Sequence, residues 1–166
     1  SQGPSLAGTD KPWLFASGCK GLTRCVLPLL EEGQGPATYT VRLYFMEPEN
    51  SAPGQRVFTV KLQGTPMLTN FDIVAEAGGV NKALVKEFKG VAVTTGLAVE
   101  LTPNKEKPAL NESPLLNGIE HMDLLVDAFG SRVLGGLCRI SSFVAGPGHI
   151  THVGIKPSLA FGELTN

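Results

Sequence analysis

TYTVRLYFMEPENSAPGQRVFTVKL, residues 38–62, decides the fold. In its first half Tyr39, Val41, Leu43 and Phe45 alternate with Thr40, Arg42, Tyr44 and Met46. In its second half Phe58, Val60 and Leu62 alternate with Val57, Thr59 and Lys61. A period of two with one apolar face is the pattern of a half-buried antiparallel strand. Between the halves lies PENSAPG, rich in turn-forming residues, so the stretch reads as a hairpin. Working outward, Trp13–Ala16 and Cys25–Leu30 read as strands before it, Pro28 marking an edge or bulge. Phe71–Val74, Ala83–Phe88, Val91–Thr94 and Leu97–Leu101 read as strands after it. Ala75–Asn81 and Thr95-Gly96 supply turns, and Pro103–Pro114 is a long polar loop. Apolar character returns over Leu115–Leu125, and the last forty residues hold short apolar pieces broken by Gly and Pro. No stretch carries a helical period.

Composition agrees with many short strands. Twenty Gly and twelve Pro occur in 166 residues, about a fifth of the chain against an average near 12%. Hydrophobic residues make up 42% and charged residues 17%, which describes a globular chain with a sparse charge complement. Turn signals recur without helical segments between them, so the expected architecture is all-β: a two-sheet antiparallel β-sandwich of jelly-roll type. Residues 1–11 read as a flexible arm and 12–166 as one sandwich domain, with 126–166 its core or an edge extension. The net charge of −1 excludes a nucleic-acid binder, which needs a basic surface. No apolar run approaches the roughly 20 residues of a membrane span. A start at Ser1 implies a processed chain or one cut from a longer protein.

From about Thr38 to Glu120 the chain resembles the malectin and malectin-like family. The resemblance is carried in order by YTVRLYFME, GQRVFTVKLQG, FDIVAEAGG, NKALVKEFKGV, LAVELTP and PLLNGIE. It implies a two-sheet sandwich and a non-catalytic carbohydrate-binding module of a larger secreted, periplasmic or cell-surface protein. Implied partners are an oligosaccharide or polysaccharide and neighbouring modules. Where the sugar-binding relatives place an aromatic pair after the first strand, this chain carries Glu49-Asn50. Their acidic residue ahead of the PLLNGIE block corresponds to Glu112.

Sugars offer C–H faces to aromatic rings and hydroxyls to planar polar groups, which makes Trp13, Tyr44, Asn50 and Glu112 the candidate carbohydrate-binding residues. Trp13 lies in the apolar run WLFA, so a core or sheet-edge role competes with stacking. Tyr44 sits opposite the apolar face of its strand, beside Arg42 and Lys61, in a stripe that reads as solvated. A structural or protein-interaction sandwich without a sugar site is the alternative function. Gly78-Gly79 and Gly118 suit positive-φ turns. Asp72 reads as capping a turn or pairing with a lysine. Cys19 and Cys25 are six apart, compatible with a small disulfide loop or with buried thiols, and Cys138 is remote. His149 and His152 have HxxH spacing, but on a strand such residues face opposite ways, and no third ligand accompanies them. No cofactor is specified; a structural calcium is the one ion such loops would suit. Asn111-Glu112-Ser113 reads as a chance sequon because Pro114 follows. With no catalytic motif and no carboxylate pair singled out, the chain does not read as an enzyme.

Overall fold

The computed structural model describes the backbone of residues 7–123, 134–138, 142–146, 149–152 and 159–163, and the side chains of residues 7–122. The elements are β1 (Cys19–Lys20), β2 (Arg24–Pro28), β3 (Ala37–Phe45), β4 (Val57–Leu62), β5 (Thr65–Asp72), α1 (Ile73–Ala77), β6 (Leu84–Val93) and β7 (Gly96–Pro103). They continue with β8 (Leu115–Leu116), β9 (Gly118–Asp123), β10 (Leu134–Cys138), β11 (Ser142–Gly146), β12 (His149–His152) and β13 (Leu159–Glu163). One sheet has five strands in the order β13-β10-β9-β3-β6, and the other has four, β2-β7-β4-β5. Two small pairs, β1-β8 and β11-β12, complete the set, and every paired strand runs antiparallel. The fold is therefore the expected antiparallel β-sandwich.

The core lies between the sheets. Val41, Leu43 and Phe45 of β3 meet Phe58, Val60 and Leu62 of β4, with Val93, Leu97, Val99, Leu101 and Ile119 around them. Phe45, Phe58 and Phe71 form a ring cluster across the interior, with centroids 4.8 to 6.2 Å apart. Burying each such ring is worth about 1.5–3 kcal/mol, so this trio ties the two sheets together.

The 38–62 stretch is not a hairpin. β3 pairs with β6 and β9, and β4 pairs with β5 and β7. The intervening loop carries the chain from one sheet to the other. Alternation is the same for a hairpin and for a crossing, because either way both apolar faces turn to one core. The true hairpin is β4–β5, closed by Gln63 (φ 51°) and Gly64 (φ 77°), a two-residue turn with the positive φ values that match strand twist. Gln63 also spans the end of the sandwich. It accepts from the Ala98 N–H at 2.7 Å and donates to the carbonyls of Ala92 and Gly96 at 3.2 and 3.1 Å.

Five other local expectations change. The strands expected over Ala83–Phe88 and Val91–Thr94 are one continuous strand, β6. Trp13–Ala16 is not a strand; Pro12–Phe15 form a 3-10 helix, with Pro in the first turn where its missing N–H costs nothing. Phe71–Val74 divides, β5 ending at Asp72 and α1 beginning at Ile73, so the chain does contain a helix. Asp72 caps it, accepting from the Ala75 N–H at 3.1 Å, and Gly78 closes it in the left-handed conformation. Gly79 also has positive φ, but Gly118 does not. Instead Gly118 lies against the Tyr44 ring, where an added Cβ would be 3.7 Å away. Cys19, buried on β1, and Cys25, half-buried on β2, are not joined to each other, so the small disulfide loop is not realised. His149 and His152 lie on β12, and their side chains fall outside the described residues. Among the described residues no helix is long and apolar enough to cross a membrane.

Candidate functional site

β3 lies between β6 and β9 in the five-stranded sheet, so its outward residues are flanked on both sides. Arg42 lies opposite Glu87 on β6 and Glu120 on β9. Its Nε donates to Glu87 at 2.6 Å and its Nη1 to Glu120 at 3.2 Å. Tyr44 lies opposite Val85 and Gly118, and its hydroxyl donates to the same Glu120 oxygen at 2.5 Å. The result is a hydrogen-bonded row, Glu87–Arg42–Glu120–Tyr44, laid across three strands.

Two hydrogen-bonded carboxylates, Glu87 foremost, hold the Arg42 guanidinium more firmly charged than usual. In return Arg42 draws the Glu87 carboxyl below its ordinary range. The Tyr44 phenol is pushed well upward, first because burial disfavours a phenolate and then because Glu120 accepts its proton's hydrogen bond. Tyr44 therefore acts only as a neutral donor near physiological pH. Among the described residues Arg42 Nη2 meets no acceptor, so the guanidinium keeps N–H donors beyond the row.

The N-terminal segment passes over this face. Leu14 and Phe15 of the 3-10 helix bury themselves against Tyr44 in a small apolar cluster, the Phe15 and Tyr44 rings meeting edge-on at 5.8 Å. Just before it, Gly8–Lys11 stand away from the sheet. Between them and Arg42, Tyr44 and Val85 lies an open cleft of about 430 Å³. Trp13 follows the cleft-lining segment and is 53% exposed, so it belongs neither to the core nor to a strand. Tyr44 lines the cleft yet is only 5% exposed, contrary to the solvated stripe expected. Lys61 is not alongside it, being on β4 in the other sheet.

Asn50 and Glu112 fall in a different neighbourhood, the loops at the end of the sandwich. Arg56, 1% exposed, is buried with Glu47, also 1% exposed. Arg56 Nε donates to Glu47 Oε2 at 2.6 Å and Nη2 to Glu49 at 3.1 Å. Its Nη1 donates to the Ser113 carbonyl and, at 3.4 Å, to that of Leu110. Glu47 also accepts the backbone N–H groups of Glu49 and Asn50 at 3.0 and 3.1 Å. Asn50, buried, reaches across to the Asn111 carbonyl at 2.6 Å. Glu112 stays within its own loop, paired with Lys105 and accepting from the Ala109 N–H. Glu49 pairs with Lys20, which with Arg56 holds its carboxyl below the usual range. The position where an aromatic pair was sought thus holds a clamp joining the crossing loop to the 109–113 loop.

The four sequence candidates accordingly separate: Tyr44 lines the cleft, Trp13 follows its N-terminal wall, Asn50 belongs to the clamp, and Glu112 bonds only within its own loop. Arg42 was visible as an outward residue, but Glu87, Glu120, Val85 and Lys11 carried no signal, because their meeting depends on strand register and on the path of the N-terminal segment. Among the described residues no group of three or more His, Cys, Asp or Glu is placed to hold a metal ion.

The family model described as Malectin domain matches residues 26–119. A second, ketopantoate reductase PanE/ApbA, matches residues 93–166, under half of the chain and overlapping strands of the sandwich. A probable leucine-rich repeat receptor-like serine/threonine-protein kinase of Arabidopsis thaliana is 44% identical over 68 residues, covering 37% of this chain and 7% of that protein. A probable receptor-like protein kinase of the same plant is 32% identical over 84 residues, covering 49% and 10%. The crystal structure of the ANX2 ectodomain from Arabidopsis thaliana aligns with a TM-score of 0.50 at 18% identity, over 70% of this chain and 31% of that one. The chain thus spans a tenth or less of these curated relatives.

Proposed function

Because the chain belongs to the malectin domain family, we propose that it is a non-catalytic, extracytoplasmic binding module that takes carbohydrate in the cleft over β3. The observation that carries this is the cleft itself. Its volume of about 430 Å³ falls within the roughly 300–1,000 Å³ of small-molecule sites and accommodates one or two sugar rings. Arg42 offers planar donors and Asp10 a planar acceptor on the cleft lining, while Trp13, 53% exposed two residues after Lys11, is the candidate stacking surface. The carboxylates of the row share Arg42, which supports binding over hydrolysis, since a glycosidase needs one carboxyl kept protonated.

A glycan array followed by titration of the best hit tests the reading. Arg42→Ala is expected to weaken binding about tenfold or more, equivalent to about 1.4 kcal/mol, and Trp13→Ala to weaken it similarly. Glu112→Gln, altering only the remote loop, leaves affinity unchanged. Silence of the folded protein across glucans, mannans and galactans would overturn carbohydrate binding and leave the module as a protein-interaction sandwich.

A further inference from the structure

We propose that Gly8–Lys11 form a hinged wall that swings away from β3 to admit a ligand and closes over it, a regulation that rests on the cleft being the binding site. The two walls of the cleft are held very differently. The sheet wall is β3 paired with β6 through eight registered residue pairs and backed by the core. The other wall is attached at its start by one parallel bridge, Ala7 to Lys82. Two backbone bonds make it: Ala7 N–H to the Asn81 carbonyl at 3.3 Å and Ala83 N–H to the Ala7 carbonyl at 3.0 Å. No apolar side chain of residues 7–11 is buried, so among the described residues those two bonds are what holds this end down. At its other end the wall runs into the 3-10 helix, where Leu14 and Phe15 are 7% and 3% exposed. A segment anchored firmly at one end and lightly at the other pivots about the firm end. Gly8, at φ +87°, where an added Cβ would meet only the Ala83 carbonyl at 3.6 Å among the described residues, gives the light end backbone freedom that another residue would lack. Lys11, Thr9 and Asp10 line the cleft, so opening removes polar groups from the site and closing returns them.

Hydrogen exchange on the full chain decides the matter without a ligand. The Ala83 amide, a donor in the bridge, is expected to exchange about 100-fold or more faster than the Leu43 amide of β3, which is paired on both sides, because local openings cost far less than global ones. Ala7→Pro, which removes one of the two bridge bonds, is expected to leave the melting temperature unchanged and to speed Ala83 exchange further. Equal protection of Ala83 and Leu43, or a large loss of stability in Ala7→Pro, would overturn the hinge and leave cleft binding intact. With the best array glycan at saturation, Ala83 exchange slows; an unchanged rate with tight binding overturns closure over the ligand. A silent array together with a fast Ala83 amide removes the sugar and keeps the hinged wall.

Discussion

At Arg56 the molecule commits a full positive charge to its interior, and the surroundings show why this is tolerated. The guanidinium faces one buried carboxylate, one half-exposed carboxylate and two carbonyls. Breaking such a pair from one side leaves an uncompensated buried charge, so Arg56→Ala is expected to lose about 3–5 kcal/mol of stability, read by urea denaturation. The double substitution Arg56→Met with Glu47→Leu removes the unpaired charge but strips the Glu49 and Asn50 N–H groups of their acceptor, so it should recover only part of that loss. A single substitution costing under about 1 kcal/mol would mean the clamp is no more than a surface pair. Nothing in GQRVF distinguishes Arg56 from an exposed loop arginine, since burial is set by residues 109–113 folding over it. Tyr44 misled in a related way. Its alternation correctly placed it on the outer face, but the 3-10 helix covers that face.

Elements were legible where their pattern had one meaning. β4 and β7 emerged close to their observed limits because a half-buried strand between turns reads as little else. Phe71-Asp72-Ile73-Val74 was ambiguous, as short apolar runs are; the structure resolves it by using Asp72 as both the last strand residue and the helix cap. Asp72→Ala is therefore expected to destabilise by about 1 kcal/mol, lowering the melting temperature by roughly 2–4 °C for a chain of this size, and Asp72→Asn should retain most of the cap. At the other end of the sandwich, Gln63→Gly preserves the positive φ while removing three hydrogen bonds. A loss of about 1–2 kcal/mol in chemical denaturation would show that the side chain, not the turn, ties the sheets together there. No loss would assign the junction to packing alone.

For the whole molecule, acid is the sensitive direction. Burial holds His121 below its usual value of 6.5, and Glu49, Glu87 and Glu112 are held low by Lys20, Arg42 and Lys105 respectively. All four are depressed, so the native state binds fewer protons than the unfolded chain and stability falls as pH falls. The His121 contribution is lost first, below about pH 6.5. The carboxylate contributions follow as pH drops from the ordinary range through the lowered values, each small because these groups meet solvent. Melting curves from pH 7.5 to 3.5 should show this two-stage decline, and His121→Phe should abolish the first stage. A flat melting temperature between pH 7 and 5 would remove His121 from the account.

The sequence by itself determined the sandwich and its family, because alternation specifies which face of each strand is dry whatever strand lies beside it. It could not determine the pairing. Residues 38–62 read equally well as a hairpin or as a passage between sheets, and only the packing of Phe45, Phe58 and Phe71 from both layers selects the passage. The site depended on that choice. Strand register brought Glu87 and Glu120 to Arg42, and the course of residues 8–15 turned an outward tyrosine into the wall of a cleft. Those neighbours are distant along the chain, and contacts between distant residues are set by the energy of the assembled core, not by any local pattern.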